Sequence, residues 1–225
     1  LSASSAASDV YKRQVYIPSK SYEDAASDMR GNFIGIGISF YQHQDSIAVI
    51  RTIEDGPAQK AGIQAGDRIL YADTIPLLGK GLSRYDVVSQ LKGTRNSKVS
   101  LKIKRKNQDS LLSVTVTREK IPLVSLDAAY LLTDAIGYIK LNRFAEPTYN
   151  EFKKALTELI ENGATKLVLD LRDNPGGYIS SAQDIVDEFL EDNTLILITN
   201  NKNGKQEKTY ATNKGSFKTG SLYVL

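Results

Sequence analysis

The sequence predicts two folded parts in tandem. The first is a small α+β domain, a β-barrel-like sheet with two helices. The second is a partial α/β core of β-α-β-α-β order. Three observations carry this expectation. Glycine-punctuated and alternating apolar segments dominate residues 32–118, whereas helical-period segments separated by apolar runs dominate residues 119–225. Residues 31–120 carry a net charge of +6 and residues 121–225 a net charge of −3, and the change of sign falls at Lys120-Ile121-Pro122. A chain of 225 residues has room for one large domain or two small ones.

The N-terminal residues 1–15 read as a non-native or disordered leader. The small-residue stretch Leu1 to Ser8, followed by Asp9 to Gln14, lacks the long apolar centre of a secretory signal. Residue 1 is Leu rather than Met, and Ser221 to Leu225 reads as a strand followed by no turn. A chain cut at both ends is the expectation.

Asn32 to Ile38 is an apolar strand interrupted by Gly35 and Gly37, and glycine within a strand marks a bulge or a close backbone approach. Free amides at Gly35, Ile36 and Gly37 suit an anion such as a peptide carboxylate, and a purely packing role for the glycines stays open. Pro57 starts a very short helix that Gly62 ends, Gly66-Asp67 turns the chain, and Ile69-Leu70 opens a strand. Ser83 caps a helix carrying Val87, Val88 and Leu91, closed by Gly93. Val99, Leu101 and Ile103 alternate with Ser100, Lys102 and Lys104, so the lysines form the wet face of a strand rather than a phosphate site. Lys106 to Asp109 is its hairpin turn, and Leu112, Val114 and Val116 continue the inner face.

In the second part, Ile136 to Leu141 is a strand. A helix follows near Pro147 with Phe152, Ala155, Leu156, Leu159 and Ile160 on one face, stopped by Gly163. Lys166 to Leu171 is a nearly continuous apolar run, the mark of a parallel strand covered on both faces. A second helix carries Ala182, Ile185, Val186, Phe189 and Leu190, and Thr194 to Thr199 is expected as the closing parallel strand.

Composition narrows the chemistry. Cys is 0 and His is 1, so no thiol nucleophile or zinc-cysteine site is available, and His43 sits in a solvated Tyr41–Asp45 turn. A net charge of +3 does not argue for nucleic acid, and no apolar run approaches the ~20 residues that span a membrane. The chemical signal is the loop Asp170-Leu171-Arg172-Asp173-Asn174-Pro175-Gly176-Gly177, placed at the carboxyl end of a buried strand. Paired glycines there can turn backbone amides toward an oxyanion, with an ordinary strand-to-helix turn as the plainer alternative. Asp170 and Arg172 brace the loop, and Ser180 and Ser181 read as N-cap residues of the next helix.

The glycine-bearing strand, short helix, turn and second helix resemble a PDZ domain over residues 32–118. Such a domain followed by Asp-Leu-Arg-x-Asn-Pro-Gly-Gly resembles the C-terminal processing peptidases, the tail-specific serine proteases of S41 type. The resemblance implies a ClpP/crotonase-like core, with residues 16–31 as an N-terminal segment of the protease region and 119–225 as its incomplete core. It implies a serine nucleophile, a lysine base, a backbone oxyanion hole at Gly177 or Gly176, and neither metal nor cofactor. It implies protein or peptide partners with exposed C-termini, bound along Gly35, Ile36 and Gly37 and walled by Val87, Val88 and Leu91. It also implies export from a bacterial cytoplasm, to the periplasm or beyond. The family's Ser motif and Lys follow the strand matched by Leu222 to Leu225, so neither is present and this chain is expected to be inactive by itself. A non-catalytic PDZ scaffold and a carrier of small apolar ligands stay open as alternatives.

Overall fold

The computed structural model describes residues 17–43, 46–77 and 82–225. The residues 1–15 expected as a leader lie outside these. The chain divides into two compact units, one of Asn32–Leu123 and one of Val124–Leu225 together with the segment that ends at Gly31.

In the unit Asn32–Leu123, the glycine-bearing strand is broken in two. Strand β1 (Asn32–Gly35) pairs antiparallel with the last strand of the unit, β8 (Glu119–Pro122), while β2 (Ile38–His43) joins a different sheet. That sheet also contains β3 (Ser46–Thr52), β4 (Arg68–Ala72), β5 (Ile75–Pro76), β6 (Lys98–Lys104) and β7 (Leu112–Thr117). Its order is β2-β3-β4-β6-β7 with β5 on β4, which leaves β2 as an edge. Strand β2 runs on to His43, so Tyr41, Gln42 and His43 are strand rather than the expected turn; cross-strand pairing to Ser46, Ile47 and Ala48 extends the ladder that far. The rest of that expected turn, Gln44 and Asp45, lies outside the described residues.

Helix α1 (Ser19–Arg30) precedes this unit, and α2 (Pro57–Lys60) and α3 (Arg84–Leu91) lie within it. Ser83 caps α3 as expected. Its Oγ accepts from the Asp86 N–H and Asp86 Oδ2 accepts from the Ser83 N–H, a complete capping box. The alternation in β6 is realised: Val99, Leu101 and Ile103 are fully buried and Lys98 and Lys102 are exposed. They join Ile47, Ile69 and Val87 in one core.

Two charged groups hold this unit from inside. The Asp67 side chain is 1% exposed and receives Nε and Nη2 of Arg105 at 2.8 and 2.7 Å and the Gln64 N–H at 2.9 Å. Burial raises the pKa of Asp67, but the Arg105 fork and the Gln64 amide more than offset it, so the carboxyl titrates below its ordinary value. Arg118 caps the C-terminal end of α3 by donating to the carbonyls of Leu91 and Gln90. Gly93 is required by that side chain, because a Cβ there would lie 2.9 Å from Arg118 Cδ and Nε.

In the other unit, β9 (Leu126–Thr133), β10 (Ile136–Leu141), β11 (Lys166–Asp170) and β14 (Ser221–Val224) form one sheet of order β14-β11-β10-β9. β10, β11 and β14 are parallel, and β9 is antiparallel to β10. Helix α4 (Thr148–Glu161) connects β10 to β11, and α5 (Ile179–Asp187) follows β11. The closing parallel strand is therefore Ser221–Val224. The run expected to close the sheet is β12 (Leu195–Asn200), which instead pairs antiparallel with β13 (Gln206–Tyr210) in a separate ribbon. Its two-sided apolar run does not betray this: Leu195 and Ile198 stay exposed, so the hydrophobicity is not spent on a core.

The expectation of two covered faces on Lys166 to Leu171 is met on one face among the described residues. Leu167 and Leu169 join Ile139, Leu141, Phe152, Leu156 and Ile185 in a core. Val168 faces the other way in register with Tyr138 and Tyr223, and is only half-buried. Glu188, 2% exposed, ties α4 to the chain past α5: its carboxylate accepts from Lys153 Nζ at 2.8 and 2.7 Å, Tyr149 Oη at 2.8 Å and the Ser216 N–H at 2.8 Å. Desolvation, followed by the bond to Glu188, pushes Tyr149 up to about 12.

Replacing Arg105 by Met strands the Asp67 carboxylate, and we expect the unit Asn32–Leu123 to lose about 3 kcal/mol in urea unfolding at neutral pH. Because the folded pKa of Asp67 lies below its unfolded value, this stabilisation is complete above the ordinary carboxylate range and fades as pH falls below about 4. The midpoint of the wild-type unit should thus fall more steeply with acid than that of Arg105→Met. Equal slopes would remove the ion pair from the account.

Candidate functional site

The geometry of the strand-end loop starts with Asp170, the last residue of β11 and fully buried. Its carboxylate accepts from Arg172 Nε at 3.0 Å, Arg172 Nη2 at 2.6 Å, the Arg172 N–H at 2.9 Å and Tyr138 Oη at 2.6 Å. The Arg172 guanidinium, and next the Tyr138 hydroxyl, hold the carboxyl well below the usual range. In return the bond to Asp170 pushes Tyr138 up. Asp170 is thus a permanently ionised anchor that folds Arg172 back over the loop. It has no proton to exchange near neutrality.

Asn174 shapes the next turn. Its Nδ2 donates to the Leu141 carbonyl at 3.0 Å, and its Oδ1 accepts from the Gly176 N–H at 2.8 Å. The loop is then stitched to the chain after β10: Phe144 N–H donates to the Gly176 carbonyl at 2.9 Å and Tyr178 N–H to the Phe144 carbonyl at 2.7 Å. Gly177 sits between those two bonds with φ +152°, and a Cβ at Gly177 would be driven into the Phe144 carbonyl. Gly176 has φ +99° but open space where its Cβ would stand.

The two candidate amides are therefore not equivalent. The Gly176 N–H is occupied by Asn174, whereas the Gly177 N–H meets no acceptor among the described residues. Beside Gly177 lies a cavity of about 540 Å³ lined by Ile17, Met29, Phe144, Ala145 and Pro175, with Arg143 and Asp28 paired at its rim.

Ser180 and Ser181 are not N-caps. The N-cap of α5 is Tyr178, and Ser181, buried, donates from Oγ to the Ala145 carbonyl at 2.8 Å. It braces the cavity wall. Ser180 is exposed on the first turn. Tyr138 went unread in the sequence, whereas Asn174 was read as a turn residue and Ser181 as a cap: their partners Leu141 and Ala145 lie 33 and 36 residues away, beyond the reach of a local signal.

The other candidate site is the free edge of β2. Gly35 and Gly37 bracket the break between β1 and β2, and Gly37 has φ +73°. The carbonyl of Ile36 is taken by the Ala58 N–H and that of Gly37 by the Ile53 N–H, which pins this turn against α2 and β3. Helix α3 supplies Val87 and Leu91 to the core, both at most 5% exposed, and leaves Val88 half-buried. One end of the segment between β2 and α3 is closed by Gln42 Nε2, which donates to the Leu82 carbonyl, and by Arg84 stacked 4.8 Å from the Phe40 ring.

Residues 35–116 match the PDZ domain, and residues 135–225, with the loop at Gly176-Gly177, match peptidase family S41. The segment 135–225 is of the peptidase S41 type, and a PDZ domain precedes it. Among curated relatives of the family, the carboxy-terminal processing protease CtpB of Bacillus subtilis is 30% identical over 200 residues, covering 88% of this chain and 41% of the relative. A probable CtpA-like serine protease of Staphylococcus aureus is 31% identical over 199 residues, covering 88% of this chain and 38% of the relative. The chain thus spans well under half the length of these relatives. Among solved structures, a photosystem II D1 C-terminal processing protease matches with 26% identity and TM-score 0.43, over 92% of this chain and 57% of that one.

The asymmetry of the paired glycines gives a direct check. Gly177→Ala must break the stitch to Phe144 and should cost about 3 kcal/mol, whereas Gly176→Ala meets only an unfavourable backbone angle and should cost about 1 kcal/mol. Thermal unfolding of the two variants orders them, and a reversed order would contradict the loop geometry.

Proposed function

We propose that this chain is the peptide-capturing and oxyanion-binding portion of a bacterial serine endopeptidase. Its PDZ unit would take an exposed protein C-terminus, and its α/β unit would stabilise the tetrahedral intermediate of acyl transfer. The observation that carries the first half is the free edge of β2. An extended peptide added there continues the sheet by main-chain hydrogen bonds, with no new pocket needed. In this arrangement the amides at Gly35, Ile36 and Gly37 receive the terminal carboxylate. Val88 walls the groove from α3, whereas Val87 and Leu91, expected as walls too, are turned into the core behind it.

The second half is supported by the free amide at Gly177. Oxyanion donors act by being aimed in advance, and one such donor is worth about 3 kcal/mol in the transition state. Asn174, the Phe144 stitch and the Asp170–Arg172 clamp all serve to hold that amide still. Gly176 is the reserve donor, at the cost of breaking its bond to Asn174. The serine and the lysine base belong to the part of the relatives' length that these residues do not span. Export from the bacterial cytoplasm is part of the proposal, on kinship with the bacterial relatives.

Carboxylate capture is tested with labelled peptides and residues 1–225. A peptide with a free C-terminus should bind at least about tenfold more tightly than the same peptide amidated, since hydrogen bonds to a charged group are worth about 1.5–3 kcal/mol. The amide resonances of Gly35 and Gly37 should shift on binding. Equal affinity for the two peptides would remove these residues from the proposal.

A further inference from the structure

The six-stranded sheet shows where the charge of residues 31–120 goes. Cross-strand register sets Tyr41 beside Ala48, Ala48 beside Arg68, and Arg68 beside Lys104. Side chains opposite one another in a ladder share a face, and Lys102 joins this one by alternation along β6. The other face sends Phe40, Ile47, Ile69 and Ile103 into the core. The outer face is therefore basic, to the point of placing Arg68 and Lys104 as like charges directly opposite each other, an arrangement that destabilises a sheet.

Ser39 and Tyr41 carry this face out to the free edge on β2. Arg51 is exposed, pairs with Ser39 in the β2–β3 ladder, and turns its Nε toward Ser39 Oγ at 3.5 Å. A bulge between Ser39 and Phe40 leaves Ile50 as the extra residue on β3. Bulges re-aim the side chains beside them. Here the result is a guanidinium turned toward β2, with the hydroxyl of Ser39 as its hydrogen-bond partner among the described residues.

We propose that Arg51 is a specificity residue that selects an acidic side chain at the penultimate position of the bound peptide. This inference rests on carboxylate capture at Gly35–Gly37. A peptide held there and running antiparallel to β2 sets its last residue opposite Ile38, its penultimate residue opposite Ser39 and its third-last residue opposite Phe40. The last and third-last side chains face α3 and the core side. The penultimate side chain lies on the basic outer face beside Ser39 and Arg51. The preferred ligand is an apolar-ended tail with Glu or Asp one residue before the end.

The test uses residues 1–225 and three labelled decapeptides ending in Val-Glu-Val, Val-Ala-Val and Val-Lys-Val, read by fluorescence anisotropy. The Glu peptide should bind about threefold more tightly than the Ala peptide and the Lys peptide about threefold less tightly, the scale of an exposed ion pair. The spread should shrink in high salt. Arg51→Gln should flatten the series, and Arg51→Glu should invert it. Three peptides of equal affinity, each still weakened by amidation, would overturn the role of Arg51 and leave carboxylate capture standing. A series that ignores amidation, or no binding at all, would overturn both.

Discussion

The contact between Gly177 and the carbonyl of Phe144 is the constraint on which the geometry of the strand-end loop depends. Nothing larger than hydrogen fits at that point. The consequence is a two-bond parallel bridge that joins the loop after β11 to the chain after β10, across a long stretch of sequence. Once joined, the remaining freedom of the loop is removed by short polar bonds: Asn174 to Leu141 and Gly176, Arg172 to Asp170, Tyr138 to Asp170. Rigidity here is a matter of satisfied donors and acceptors rather than of apolar packing. The Gly177 amide is therefore held at the surface of the cavity by polar bonds in the loop itself.

The same economy recurs in both units. Asp67, Arg118, Asp170 and Glu188 are buried charges, each at most 9% exposed, and each is met by several partners of matching polarity. Arg118 is met by helix carbonyls rather than by a carboxylate, so the end of α3 supplies the compensating charge density. Such groups contribute little net stability by themselves, but removing one partner is costly. They fix which segments meet, and they do so between segments far apart in sequence: Asp67 with Arg105, Arg118 with Gln90, Glu188 with Lys153.

That distance explains what was legible in the sequence. The alternation of Val99, Leu101 and Ile103, the cap at Ser83, the turn at Gly62 and the helical face of Phe152, Leu156 and Leu159 are local signals, and each is realised. The motif Asp170 to Gly177 was also readable, because its proline, asparagine and glycines are contiguous. The choice between the amides of Gly176 and Gly177 was not readable from spacing, since it turns on Asn174 folding back and on Phe144 arriving from elsewhere. The closing strand was misplaced for a related reason. Leu195 to Ile198 and Leu222 to Val224 have similar apolar character, and only the pairing partner, Gln206–Tyr210 or β11, separates ribbon from sheet. Ser181 likewise looks like a cap in sequence and is a wall bracket in space.

The open edge of β2 has a cost that its charge offsets. A strand with one edge open among the described residues, and with exposed apolar residues such as Tyr41 and Ile50 beside it, is a template for edge-to-edge pairing with a second copy of the same chain. Two such edges approaching each other would set one positive sheet face beside another, Arg51 included. Such repulsion would oppose self-association, and the same charge would draw in the acidic ligand proposed above. Separation of like copies and selection of an acidic ligand would then be two outcomes of one distribution of charge.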